Sequence, residues 1–182
     1  MQGLVSASDR IDAVVERIGK VAAWLFLADM IVICFDVVTR KFSIQIPGFG
    51  STRLQELEWH IHTALFAFWL GLTYIKNGHV RIDVFTSHLP ERTKAVLEVL
   101  GCLIFALPYC LLVVYYGWDF FERSWVQNEY SDAPTGLPAR YIIKGILFLG
   151  LIVLLASVVS VLMRKLAFLG GAKMTQQAPA RH

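Results

Sequence analysis

The chain is poor in charge, in cysteine and in the residues that make loops. Only 17% of its 182 residues are Asp, Glu, Lys or Arg, against about a quarter in an ordinary water-soluble domain. Three cysteines, an odd number, give no disulfide framework. Thirteen glycines and six prolines are too few for a collagen-like or low-complexity chain. The net charge is only +3 and its Lys and Arg are scattered, so no nucleic acid is expected as a partner. No polar connection is long enough to fold by itself, and no internal repeat is visible, which removes the inverted-repeat halves of many secondary transporters. Residues 1–20 mix acids with bases and lack the uninterrupted apolar core and small-residue cleavage site of a secretory signal peptide.

What the chain does have is apolar length: 56% hydrophobic residues and a mean hydropathy of +0.56. Four stretches reach the roughly 17–25 residues that cross a ~30 Å hydrocarbon core: 21–38, 59–75, 96–118 and 143–163. Each must be helical, because a lone strand in lipid leaves its backbone polar groups unpaired. The expected fold is an all-α integral membrane protein, a single domain over 1–182 with four transmembrane helices and a flexible tail over 167–182. Before the first span, Ser8 or Asp9 is a candidate helix cap. Ile11, Val14, Val15 and Ile18 then form one stripe opposite Arg10, Asp12, Glu16, Arg17 and Lys20. That pattern suits an N-terminal amphipathic helix at the membrane interface over 8–20, or a solvent-facing extension of the first span. Pro90 and Glu91 mark another helix start ahead of the third span.

Lys and Arg concentrate in the amino-terminal segment, the middle connection and the carboxyl-terminal segment rather than in the other two connections. Both termini are therefore expected in the cytoplasm. Cys34, Cys102 and Cys110 fall inside apolar stretches and behave as small hydrophobes.

The polar residues at membrane depth resist a purely structural account. Asp29 lies near the middle of the first span and Asp36 seven residues later on the same face; a carboxylate there costs roughly 2.5–3.5 kcal/mol on insertion scales. Each belongs to an ion or proton relay, or to a buried pair with another helix of this chain or of a partner. Only Glu98 and Lys144 are charged within the remaining spans, both near the ends. Glu56 with His60, and Glu58 with His62, are i, i+4 pairs leading into the second span. They project about 200° apart, which argues against one four-ligand metal site and for an interfacial belt anchored by Trp59. None of the five histidines lies in the first, third or fourth stretch, so a haem held between two histidines of this chain has little support. A respiratory membrane anchor with a haem or quinone site, and an autonomous small transporter using Asp29, are the competing functional classes.

The segment after the second span, Gly78-His79-Val80-Arg81-Ile82-Asp83, reads physically as an interfacial turn in which Gly78 breaks the helix. Together with Gln55-Glu56-Leu57-Glu58-Trp59 ahead of that span, it resembles the small membrane subunit of tripartite ATP-independent periplasmic (TRAP) transporters, the DctQ-like family. The later run Glu122-Arg123-Ser124-Trp125, Glu129-Tyr130-Ser131, Gly136-Leu137-Pro138 and Lys144 looks like the mannitol/chloroaromatic or 2-oxo-acid branch. The resemblance covers roughly residues 21–166. It implies a non-enzymatic scaffold subunit in the bacterial inner membrane, in contact with membrane lipids, a large multispan permease subunit and a periplasmic substrate-binding protein. It implies organic acid uptake by symport, with sodium ions in the large partner and no cofactor in this chain. Glu56, Glu58, Trp59, His79, Arg81 and Asp83 are the carried-over positions, expected to anchor helix ends and contact that partner, as are Asp29 and Asp36. The acidic stretch from Glu129 to Asp132 is the expected docking surface for the periplasmic component. Small residues such as Ala156 and Ser160 are expected to mediate subunit packing in lipid.

Overall fold

A computed structural model describes residues 1–44, 50–79, 86 and 88–172, and every regular element among them is helical. The order is α1 (Gln2–Lys41), α2 (Ser51–Ile75), α3 (Glu91–Gly101), a π-helical turn (Cys102–Ala106), α4 (Leu107–Val126) and α5 (Tyr141–Leu169). Three units are long and apolar enough to cross a membrane: α1, the continuous stretch Glu91–Val126, and α5. α2 falls short on composition, because its first half carries the Glu and His residues of the 56–62 segment.

α1 is unbroken for 40 residues, about 60 Å at 1.5 Å per residue and twice a hydrocarbon core. This changes two expectations. The amphipathic segment over 8–20 is not a separate surface helix, and neither Ser8 nor Asp9 caps anything, since the helix begins at Gln2. The face turned inward carries Ser8, Asp12, Val15, Gly19 and Ala22, whereas Val14 is exposed. Polar bonding to α5 selects that face over the apolar stripe.

The helices run alternately up and down. The start of α1, the end of α2, the start of α3 and the end of α5 meet at one end of the molecule, here called the terminal end. The end of α1, the start of α2 and the α4–α5 connection meet at the other, the loop end. α1, α2 and α5 pack on one another as a triangle, while the α3–α4 rod packs on α5. Small residues set the closest approach. A Cβ on Gly150 of α5 would lie 2.5 Å from the Ala67 Cβ, and one on Gly71 of α2 would lie 2.8 Å from Ser157 Oγ. Such contacts replace the hydrophobic drive that lipid does not supply between helices.

Helix ends follow one device. Ser43, Asn77, Asn128 and Gly171 adopt left-handed backbone directly after α1, α2, α4 and α5. In each case its own N–H and that of the following residue reach back to the last turn, as in Asn77 N–H to Tyr74 O and Gly78 N–H to Thr73 O. This is the motif that satisfies orphan carbonyls at helix C-termini. The expectation that Gly78 breaks α2 is thus corrected: Asn77 takes the left-handed turn. α3 starts at Glu91 behind Pro90, as the sequence suggests. Its passage into α4 widens to a π turn in which Leu107 N–H reaches Cys102 O, just ahead of Pro108, which has no N–H for an ordinary helical bond. Residues 167–169, expected in a tail, complete α5; positions 173–182 lie outside the described residues.

Candidate functional site

Three polar clusters tie the helices together, and they absorb most of the residues singled out in the sequence. The first closes the loop end. Glu56, in the second turn of α2 and only 8% exposed, accepts hydrogen bonds from the Ser131 hydroxyl and the Leu137 backbone N–H. Arg140 stands 3.5 Å from the same carboxylate and 3.0 Å from Asp132. Arg53 adds a bond from Nε to Thr135 O at 3.1 Å. Lys144 pairs with Glu129 and lies 3.9 Å from the centre of the Phe120 ring. Gly136 is required at its position, because a Cβ there would lie within 2.7 Å of both Ser131 and Glu56. Burial pushes the Glu56 carboxyl up, but the bonds from Ser131 and Leu137 and the Arg140 charge outweigh it and hold the group below its ordinary value. The Lys144 hydrogen bond likewise holds Glu129 below its ordinary value. Glu129 and Asp132, in the expected docking surface, are paired with Lys144 and Arg140, and the Asp132 side chain stays 95% exposed.

The second cluster is a seam between α1 and α2. Asp29 Oδ2 lies 3.4 Å from His62 Nδ1, so the buried aspartate has its partner on another helix of the same chain. Asp36 is fully buried, with the Arg40 guanidinium beside Oδ2 and the Ser51 hydroxyl 3.4 Å from Oδ1. Glu58 is close to Asp36. The Glu–His pairing read from the i, i+4 spacing is not what forms: His60 Nδ1 bonds the Glu56 backbone carbonyl, its ring stacks on Trp59 at 3.9 Å, and His62 turns to Asp29. His79 packs its ring on Tyr74. Arg81 and Asp83 lie outside the described residues.

The third cluster, at the terminal end, was not anticipated. Ser160 of α5 bonds both Ser8 Oγ at 2.9 Å and Asp12 Oδ1 at 2.5 Å. One turn further along α5, Arg164 pairs with Asp12 and Asp9. Lys76 at the end of α2 pairs with Glu16, whose carboxyl is lowered chiefly by that hydrogen bond. Trp69 Nε1 donates to Gly19 O at 3.1 Å, where Gly19 presses on Leu72. Ser160 is therefore consumed inside the chain rather than left for a partner. The matching signal in the sequence is polar and small residues at helical spacing in α1 (Ser8, Asp12, Gly19) and in α5 (Ser157, Ser160, Arg164). It lies off the apolar stripe on which attention falls first.

Among the described residues no group of three or more His, Cys, Asp or Glu side chains is arranged to hold a metal ion. What the clusters do is fix helices at both ends of the bundle, with acids buried against bases.

A helical membrane protein whose buried polar groups serve to lock its helices together is the class that fold and site define. The family model for the DctQ component of tripartite ATP-independent periplasmic transporters matches residues 29–168, and the chain belongs to that family, which makes it the small membrane component of such a transporter. No curated protein and no solved structure matches it.

Proposed function

We propose that this chain is the static frame of a sodium-coupled organic acid uptake system, holding a large multispan permease subunit at fixed height while that subunit carries out transport. The observation that carries the reading is the lopsided packing. The α1–α2–α5 triangle is closed by three polar clusters, yet the α3–α4 rod packs chiefly on α5, touching α2 through Tyr74 and Cys102, and leaves wide apolar faces outward. Phe105 and Tyr115 on the rod are each 72% exposed, and Trp24 on α1 is 73% exposed. Surfaces of this kind suit lipid and a large membrane partner. The acids at membrane depth support the same reading, since Asp29 and Asp36 are engaged by His62, Arg40 and Ser51 of their own chain.

In this reading α2 crosses as a fourth span, its weak hydropathy tolerated because α1 and α5 cover it. The terminal end, richer in Lys and Arg, faces the cytoplasm, and the loop end faces the periplasm, where a substrate-binding protein delivers the solute. The substrate is an organic acid of the mannitol/chloroaromatic or 2-oxo-acid branch, sodium ions are held by the large partner, and this chain carries no cofactor. Reconstitution tests it. Proteoliposomes holding this chain, the large subunit and the binding protein take up substrate only with an inward sodium gradient, and omission of the large subunit abolishes uptake. Uptake by this chain alone would overturn the frame reading.

A further inference from the structure

The seam between α1 and α2 repeats one spacing on both helices. Asp29, Asp36 and Arg40 recur at intervals of seven and four residues along α1, and Ser51, Glu58 and His62 at the same intervals along α2, so each set shares one helical face. Two contacts between the sets fix the register of this antiparallel pair: Asp29 Oδ2 to His62 Nδ1 and Ser51 Oγ to Asp36 Oδ1, each at 3.4 Å. Glu58, one turn before His62, is thereby placed between the two aspartates in depth, about 6 Å along the axis from His62. Its carboxyl is within hydrogen-bonding reach of Asp36. Asp36 is fully buried, Asp29 is 4% exposed, and the buried oxygens Glu58 Oε1 and Asp29 Oδ1 meet no donor among the described residues.

Three carboxyls thus face one seam, and the charges that act on Glu58 come from Asp36, Arg40 and Asp29. Arg40 already stands beside Asp36. The other cations at the loop end are engaged elsewhere: Arg53 with Thr135 O, Arg140 with Glu56 and Asp132, and Lys144 of α5 with Glu129. Lys41 is exposed at the end of α1, and residues 45–49, which connect the two helices, contain no ionisable side chain. Two carboxyls in contact away from water do not both ionise. A protonated one supplies the O–H donor that the pair otherwise lacks.

We propose that this seam is a proton-binding site, with one proton from solvent held on Glu58 and shared with Asp36 in the folded chain at neutral pH. The Glu58 O–H donates to Asp36, and Asp36 stays ionised between that donor, the Ser51 hydroxyl and the Arg40 guanidinium. A proton suits the site where a metal ion does not, because the described acids and histidines are not arranged to hold one. The bound proton removes one charge at membrane depth and turns a repulsion between α1 and α2 into a hydrogen bond. The inference rests on the geometry of the seam and not on the frame reading.

The test is infrared spectroscopy of the full chain in detergent at neutral pH, reading the carbonyl stretch of a protonated carboxylic acid, which shifts in heavy water. The expected result is such a band in the wild type, equal in sodium and in potassium buffer, and lost in Glu58→Gln. Asp132→Asn, at a side chain 95% exposed, should keep it. The amide that Glu58→Gln introduces donates to Asp36 as the O–H did, so this variant should also keep the wild-type thermal midpoint. An ionised Glu58 beside Asp36 would be relieved by the same change, and the midpoint would rise. Absence of the band from wild type, its persistence in Glu58→Gln, its loss on addition of sodium, or a shifted midpoint of that variant would overturn the proposal.

Discussion

The carboxylate of Glu56 and the backbone N–H of Leu137 are hydrogen-bonded across 81 residues of sequence. The second turn of α2 thereby holds the α4–α5 connection, together with Ser131 and Arg140. Replacing Glu56 by Ala leaves a part-buried N–H and a hydroxyl without their acceptor and takes from Arg140 one of its two carboxylates, at a cost of about 2 kcal/mol. The expected outcome is faster amide exchange over 131–137 with α1 and the α3–α4 rod unaffected, read by hydrogen exchange with mass spectrometry. Unchanged exchange in that segment would show that the clasp does not order the loop.

The same clasp has a defined response to acid. Glu56 and Glu129 titrate below their ordinary value of 4.5 in the folded chain. A lowered carboxyl contributes stability that is present above the unfolded value and is lost as pH falls through the folded one. Order in the loop should therefore be constant from neutral pH down to about 5 and decline below it. Protease sensitivity of the 127–140 connection, followed from pH 7 to pH 3, measures this. A decline centred near pH 6 or above would assign the transition to histidine instead.

Packing between α2 and α5 gives a sharper contrast. Gly150→Val places branched carbons where Ala67 already sits, and overpacking of that kind costs about 1–3 kcal/mol. For a chain of this size the thermal midpoint should fall by roughly 3–10 °C. Gly101→Val, in open space, should leave it within about 2 °C. Equal effects of the two would mean that Gly150 is not a contact position.

Much of this architecture is legible before any coordinates. Apolar runs bounded by turn residues mark the helices, because lipid permits little else, and Asp29 stands out as an acid that needs a partner. Its partner, His62, is not legible from the sequence. At i, i+4 the histidine looks committed to Glu58, and only the crossing of α1 over α2 brings Asp29 within reach. The terminal cluster escaped for a related reason. Asp12 and Ser160 are 148 residues apart, and nothing local to either distinguishes a buried acid from one on a solvated face. The continuity of α1 was hidden by a change in surroundings along one helix, from polar interface to apolar core.

That continuity makes the Asp12–Arg164 pair the brace for the part of α1 beyond the triangle's core. Both side chains are largely buried, and breaking such a pair by removing one partner costs on the order of 3 kcal/mol. Arg164→Ala should expose residues 2–16 to proteolysis while leaving 50–79 protected. The double variant Asp12→Asn/Arg164→Gln, which removes both charges and keeps the side chains' bulk, should restore much of the protection. If single and double variants are cleaved alike, the brace depends on packing and not on charge pairing.

The Asp29–His62 pair bears on assembly. The Asp29 carboxylate is nearly inaccessible and its Oδ1 has no hydrogen-bond partner, while the His62 side chain is 71% exposed on the outer side of the seam. With the imidazole on the outer side of the seam, a neighbouring helix meets a polar ring at membrane depth, held there by the buried carboxylate. Asp29→Asn alters that contact with little change in volume. If the pair serves subunit contact, this substitution should lower the yield of complex co-purified with the large subunit several-fold, on the order of the 1 kcal/mol such interhelical contacts carry, while turnover per assembled complex stays near wild type. Normal yield with abolished turnover would instead place Asp29 in the transport step, and the frame reading would fail at the residue where the sequence first departs from an inert helix.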